Sequence, residues 1–138
     1  SAKPGDHGRI RSDFPGGWKG DPENGFTGKG LSAEAREMRD YLKTLLNFRK
    51  GSPALKKGKT LHFVPEEGVY VLVRSYQGET AVLLLNKNET PVEFSLERFR
   101  ELGLEGKSLR ELHRGETVIW SGHLTLKAPG PYIYISKE

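Results

Sequence analysis

Four carboxylates stand in the first 31 residues: Asp6, Asp13, Asp21 and Glu23. A pair of carboxyl groups is what glycoside hydrolysis requires, one to protonate the leaving oxygen and one to act on the sugar. Spacing alone selects no pair here. Asp is also a common turn former, and Gly20-Asp21-Pro22 reads as a turn as readily as a site. The histidines His7, His62, His113 and His123 are scattered without the spacing of a metal site, and three lie in or beside expected strands, where they read as surface or partly buried strand residues. Trp18 and Trp120 each offer a ring that could stack on a sugar. Alternation with Val118 turns Trp120 inward, whereas Trp18 sits in a Gly-Gly-Trp-x-Gly loop without periodicity, open to stacking or packing. A phosphate loop ending in Gly-Lys-Ser/Thr, a G-x-S-x-G elbow and an H-E-x-x-H motif are all absent from the sequence. No metal, no cofactor and no catalytic residue is expected within this chain.

The elements that would position these groups fall into three stretches. Residues 1–31 hold eight of the 17 glycines, with Ala2, Ile10 and Leu31 as the only aliphatic residues, so they read as a long loop lying on something else. Phe14, Trp18 and Phe26 favour packing over disorder for that loop. Residues 32–51 read as a helix. Ser32 is placed to cap it, and Ala35, Met38, Leu42, Leu45 and Leu46 share one face until Gly51 and Pro53 end the pattern. A stripe of that width must cover a hydrophobic surface, since such a helix gains most of its stability from packing. Residues 52–138 switch to a period of two, with strands expected at 60–64, 69–76, 80–86, 92–95, 108–112, 117–120, 124–126 and 132–135. Gln77-Gly78 reads as a hairpin turn, 86–89 as a second, and Glu97 to Leu102 as one short helical turn. The fold class is therefore mainly β: an antiparallel, eight-stranded Greek-key sandwich preceded by a long loop and one α-helix.

Charge does not point to nucleic acid. The net +4 arises in residues 32–59, with eight Lys/Arg against three Asp/Glu; residues 1–31 carry five against four and residues 60–138 nine against eleven. Several of those cations stand near the end of the helix, where they complement its dipole. A small nucleic-acid-binding barrel would also want aromatics interleaved with Lys/Arg, and these are missing. No apolar run approaches the roughly 20 residues of a membrane span, and a signal peptide, if there is one, is expected upstream of Ser1. The absence of cysteine is compatible with cytoplasm or periplasm.

At the helix exit, Leu42-Lys43-Thr44-Leu45-Leu46-Asn47-Phe48-Arg49-Lys50-Gly51-Ser52-Pro53-Ala54-Leu55-Lys56-Lys57-Gly58 resembles the α-amylase family stretch that joins the last barrel helix to the sandwich called domain C. Val71 to Tyr76 followed by Val82-Leu83-Leu84-Leu85-Asn86 is similar to the paired strands that open domain C, and Leu112 to Thr117 with Leu124-Thr125-Leu126 to its closing strands. Upstream, Gly5-Asp6-His7-Gly8-Arg9-Ile10-Arg11-Ser12-Asp13-Phe14-Pro15-Gly16-Gly17-Trp18 looks like the loop after the eighth barrel strand in the neopullulanase and cyclomaltodextrinase branch.

The resemblance implies a parent enzyme that cleaves α-glucosidic bonds in maltodextrins, cyclodextrins or pullulan by a retaining two-carboxylate route, for which a periplasmic or extracellular location is favoured. The blocks that carry the family's nucleophile, acid and stabilising carboxylates have no counterpart here, so the chain alone is expected not to hydrolyse glucan. Its partners are expected to be an upstream catalytic barrel and, through it, an α-glucan. Because loops at the C-terminal ends of barrel strands form the active-site rim, Asp6, Arg9, Arg11, Asp13 and Trp18 are candidates to reach substrate; Arg11 and Asp13 could instead pair to brace the loop. A rival reading is a stand-alone carbohydrate-binding sandwich that uses Trp18 or Tyr76.

Overall fold

A computed structural model describes residues 13–137. The chain divides into two compact units, Ser1–Thr44 and Leu45–Glu138, with the boundary inside helix α1, Ala33–Gly51.

In the first unit residues 13–31 form neither helix nor strand. Their turns are held by side chains that satisfy the backbone. Asp21 Oδ2 accepts from the N–H groups of Gly16 (2.9 Å) and Trp18 (3.1 Å), and Asn24 Oδ1 accepts from Phe26 (3.0 Å) and Thr27 (2.9 Å). Gly16 has φ +91°, and a Cβ there would come within 2.6 Å of the Asn24 side chain, so this turn excludes any other residue. Helix α1 opens as the sequence suggests: Ser32 Oγ accepts from the Ala35 N–H at 3.2 Å.

In the second unit, after the last turns of α1, comes an element that periodicity does not reveal, the short helix α2, Pro53–Lys57. The same Ser52-Pro53 that ends α1 starts α2. Ser52 Oγ accepts from Leu55 N at 3.1 Å, and proline suits the first turn because its missing N–H would have no helical partner. Gly58 then lets the chain turn closely, since a Cβ there would lie 2.3 Å from the Ala54 carbonyl oxygen.

Eight strands follow: β1 Lys59–Glu66, β2 Val69–Tyr76, β3 Glu79–Asn86, β4 Val92–Ser95, β5 Ser108–Glu111, β6 Thr117–Ile119, β7 His123–Leu126 and β8 Gly130–Lys137, with a 3-10 turn at Glu97–Leu102. The number, order and approximate limits are those expected. β1 and β8 run longer than the apolar pattern, because the polar residues at their ends carry no hydrophobic signal. Gln77 (φ 45°) and Gly78 (φ 80°) close the β2–β3 hairpin, and Glu67 (φ 50°) and Gly68 (φ 74°) close β1–β2 in the same way.

The strands form a six-stranded sheet in the order β1-β2-β3-β8-β5-β6 and a two-stranded sheet β4-β7, all antiparallel. β8 returns past four intervening strands to lie between β3 and β5, the long crossing of a Greek-key arrangement. Between the sheets Val71, Val73, Val82 and Leu84 from one side meet Phe94, Leu124 and Leu126 from the other, closed by Phe99, Leu109 and Trp120. Each such side chain contributes about 1.5–3 kcal/mol by leaving water. β3 is buried on both faces: Val82 and Leu84 point into this core, while Glu79 and Ala81, in the opposite phase, are buried on the side of α2, which packs on β2 and β3.

Candidate functional site

Of the residues expected at a substrate rim, Asp6, Arg9 and Arg11 lie outside the described residues. Asp13 is exposed, and Trp18 stands on a turn with 73% of its surface open to solvent. Its neighbour Asp21 spends a carboxylate oxygen on backbone N–H groups, the turn-forming role that Gly20-Asp21-Pro22 suggested. Phe14 and Phe26 touch at 5.0 Å between ring centroids yet remain 60% and 68% exposed. Arg39 on α1 fastens this loop: its Nε donates to the Gly25 carbonyl at 2.8 Å and its guanidinium also donates to the Phe26 carbonyl and pairs with Asp40. The unit thus presents three aromatic rings to solvent on a hydrogen-bonded frame. Tyr76, offered as a second stacking ring, is half-buried. Trp120 lies in the core, as the alternation required.

Helix α1 has no buried residue. Met38, Leu42 and Leu46, spaced by four along one face, stay 61%, 46% and 55% exposed. The apolar face of this helix is therefore open, while the core of the sandwich is closed.

The exit from that helix is braced through a buried carboxylate. Glu79, at the start of β3, accepts hydrogen bonds from Ser52 Oγ and, at 3.2 Å, from Ala54 N, while Lys137 Nζ on β8 lies 3.2 Å from its second oxygen. Burial alone would raise the Glu79 carboxyl above its ordinary value. The Ser52 hydroxyl, Lys137 and the Ala54 N–H together outweigh it and hold the group below 4.5. At the other end of the sandwich Glu111, only 1% exposed, accepts from the N–H groups of His113 (2.8 Å), Arg114 and Ile133 (3.2 Å). Arg114 returns with its guanidinium 3.6 Å from Glu111 and 4.3 Å from the centre of the Tyr132 ring. Asn86, the residue that ends β3, donates to Ala128 O and accepts from Asn88 N, tying the strand end to the β7–β8 connection.

These three polar braces were not singled out by sequence. One signal was present: Glu111 falls in phase with Leu109 on a core-facing position, and a charge there must be paired. Both carboxylates are already engaged, Glu111 by three backbone N–H groups and Glu79 by the Ser52 hydroxyl, the Ala54 N–H and Lys137. Among the described residues no cluster of His, Asp or Glu could hold a metal ion, and no helix is long and apolar enough to cross a membrane. The histidines follow the strand reading, with His62 and His123 exposed and His113 half-buried.

The family model described as "Cyclo-malto-dextrinase C-terminal domain" matches residues 60–134, more than half of the chain. Among solved structures, the α-amylase of Geobacillus thermoleovorans complexed with acarbose is 26% identical, with a TM-score of 0.60 over 80% of this chain and 25% of that one. An Anoxybacillus α-amylase is 24% identical (TM-score 0.60; 79% and 24%), and AmyP in complex with maltose is 17% identical (TM-score 0.61; 78% and 22%). The chain thus spans about a quarter or less of the length of these relatives. It belongs to the cyclomaltodextrinase C-terminal domain family.

Proposed function

We propose that this chain is the closing segment of an α-glucan-hydrolysing enzyme and that its work there is structural. In this reading residues 1–31 are the last loop of a catalytic (β/α)8 barrel, residues 32–51 its last helix and residues 52–138 the sandwich that braces it. The observation that carries the reading is the open stripe Met38, Leu42 and Leu46 on a helix with no buried residue, joined to a sandwich whose own core is closed. The upstream barrel is the surface that such a stripe lacks. The Ser52–Glu79–Lys137 brace suits the same role, because it fixes the exit of α1 to two strands of the sandwich. The parent would act on maltodextrins, cyclodextrins or pullulan by the retaining two-carboxylate route, with Asp6, Arg9, Arg11, Asp13 and Trp18 near the rim of its active site.

The test is reducing-sugar release from maltoheptaose, β-cyclodextrin and pullulan by the 138-residue chain beside a longer protein that carries the barrel. Release by the longer protein alone is expected. Turnover by the 138 residues alone would refute the reading. The exposed Trp18 ring keeps one rival in view, a binding module that stacks sugar on that ring; it requires saturable binding of maltooligosaccharide that is lost in Trp18→Ala.

A further inference from the structure

Where the turn after β5 meets β6, β7 and β8, the sandwich carries an open groove of about 450 Å³, within the roughly 300–1,000 Å³ of small-molecule sites. Part of its lining is apolar: Val118, Leu124 and Ile119, the last 57% exposed. Its polar groups are held in place or left without partners. Arg114 is fixed by Glu111 and by the Tyr132 ring, so its guanidinium is pre-organised. Glu116 is exposed and forms no ion pair among the described residues.

Tyr134 is the more telling residue. It lines the groove and is only 4% exposed, yet its hydroxyl makes no hydrogen bond among the described residues. The hydroxyl of Tyr132, two residues away on the same strand, bonds both the N–H and the carbonyl of Ala128 at 3.0 Å. That hydroxyl is not sealed from solvent: it opens on the groove, where water or a ligand completes it. Burial, then the charge of Glu111, raises the Tyr134 phenol to about 12, so it remains a donor at any physiological pH.

Of the charges that line the groove, Arg114 is already paired with the buried Glu111 beneath it, which leaves Lys127 against Glu116. Such a site favours a neutral, polyhydroxylated ligand over a phosphate or a nucleic acid. We propose that this groove binds a short segment of neutral α-glucan, with sugar hydroxyls taken by Arg114, Glu116 and the Tyr134 hydroxyl and the apolar sugar face laid on Val118 and Ile119. The choice of an α-glucan rests on the reading of the parent enzyme given above. The groove's consequence for that enzyme is a second hold on a polymeric substrate, which raises the local concentration of chain at the barrel.

The experiment is a titration of the isotope-labelled 138-residue chain, followed by backbone amide shifts, with maltotetraose and separately with cellotetraose and inorganic phosphate. Maltotetraose is expected to give saturable shifts at residues 114–119 and 123–125, and both Tyr134→Phe and Glu116→Gln to weaken it about fivefold, the worth of one hydrogen bond. Shifts that do not saturate, that ignore both variants or that answer only to phosphate would overturn the proposal. Equal binding of cellotetraose would overturn the α-glucan assignment. Reducing-sugar release by the barrel-carrying protein reads the parent's activity independently, so an active enzyme with a silent groove refutes the groove alone.

Discussion

The two units of this chain obtain their order by different means. In Leu45–Glu138 two sheets close a continuous apolar core in which Trp120, Phe94, Leu84 and Leu126 are at most 2% exposed. In residues 13–44 the largest apolar side chains, Phe14, Trp18, Phe26 and Met38, are all at least 60% exposed, and the chain is held by Asp21, Asn24 and Arg39 acting on backbone groups. The difference is one of energetic type. Net hydrogen bonds contribute roughly 0.5–1.5 kcal/mol each, whereas the sandwich draws on area removed from water. The sandwich therefore carries its own stability, and the front segment is organised locally with its apolar surface exposed.

The comparison is broken most directly by removing core volume. Trp120→Ala should cost about 3–5 kcal/mol, read as a fall in the urea midpoint of the sandwich, or abolish its cooperative transition. A fall of less than about 1 kcal/mol would mean that the core is not the source of stability claimed for it. Ser52→Ala should cost less, about 1–3 kcal/mol, because it strips the buried Glu79 carboxylate of its hydroxyl donor. The same brace sets a pH dependence. The Glu79 carboxyl lies lower in the folded chain than its ordinary 4.5, so its stabilisation is present above 4.5 and is lost as pH falls through the lowered folded value. Urea midpoints should therefore decline below about pH 4.5, and Glu79→Gln should flatten that decline. A midpoint equally pH-dependent in the variant would remove Glu79 from the account.

Smallest of all should be Leu42→Ala and Met38→Ala in this chain, within about 0.5 kcal/mol, since both side chains are largely in water already. The same substitutions in a protein that carries the barrel should cost about 2–5 kcal/mol if the stripe is buried there. Equal, small effects in both proteins would deny the helix its docking role.

Much of this architecture is legible along the chain. The alternation in Val69 to Tyr76 and Glu79 to Asn86, broken by Gln77-Gly78, reports a hairpin because a pleated strand buries every second residue and its turn needs two left-handed positions. The stripe on α1 is visible for the same reason, at a period of 3.6. The helix α2 is not, since five residues are too few to show a period and only the Ser-Pro capping signal marks it. For the candidate site, the sequence led to the exposed Trp18, but it did not reveal that Glu79, Glu111 and Asn86 are the buried polar anchors. Their partners, Ser52 and Lys137 for Glu79, Ile133 for Glu111 and Ala128 for Asn86, lie 22 to 58 residues away in the chain.

By itself the sequence determined the local terms of this protein: where strands run, where they turn, and which face of each is apolar, because these depend on neighbours within a few residues. Only the tertiary structure decided that β8 lies between β3 and β5, that Glu111 sits dry beneath Arg114, and that the face of α1 stays open. Burial is a property of what arrives from elsewhere, and the free energy of a carboxylate, a phenol or a leucine is set by whether water or protein stands beside it.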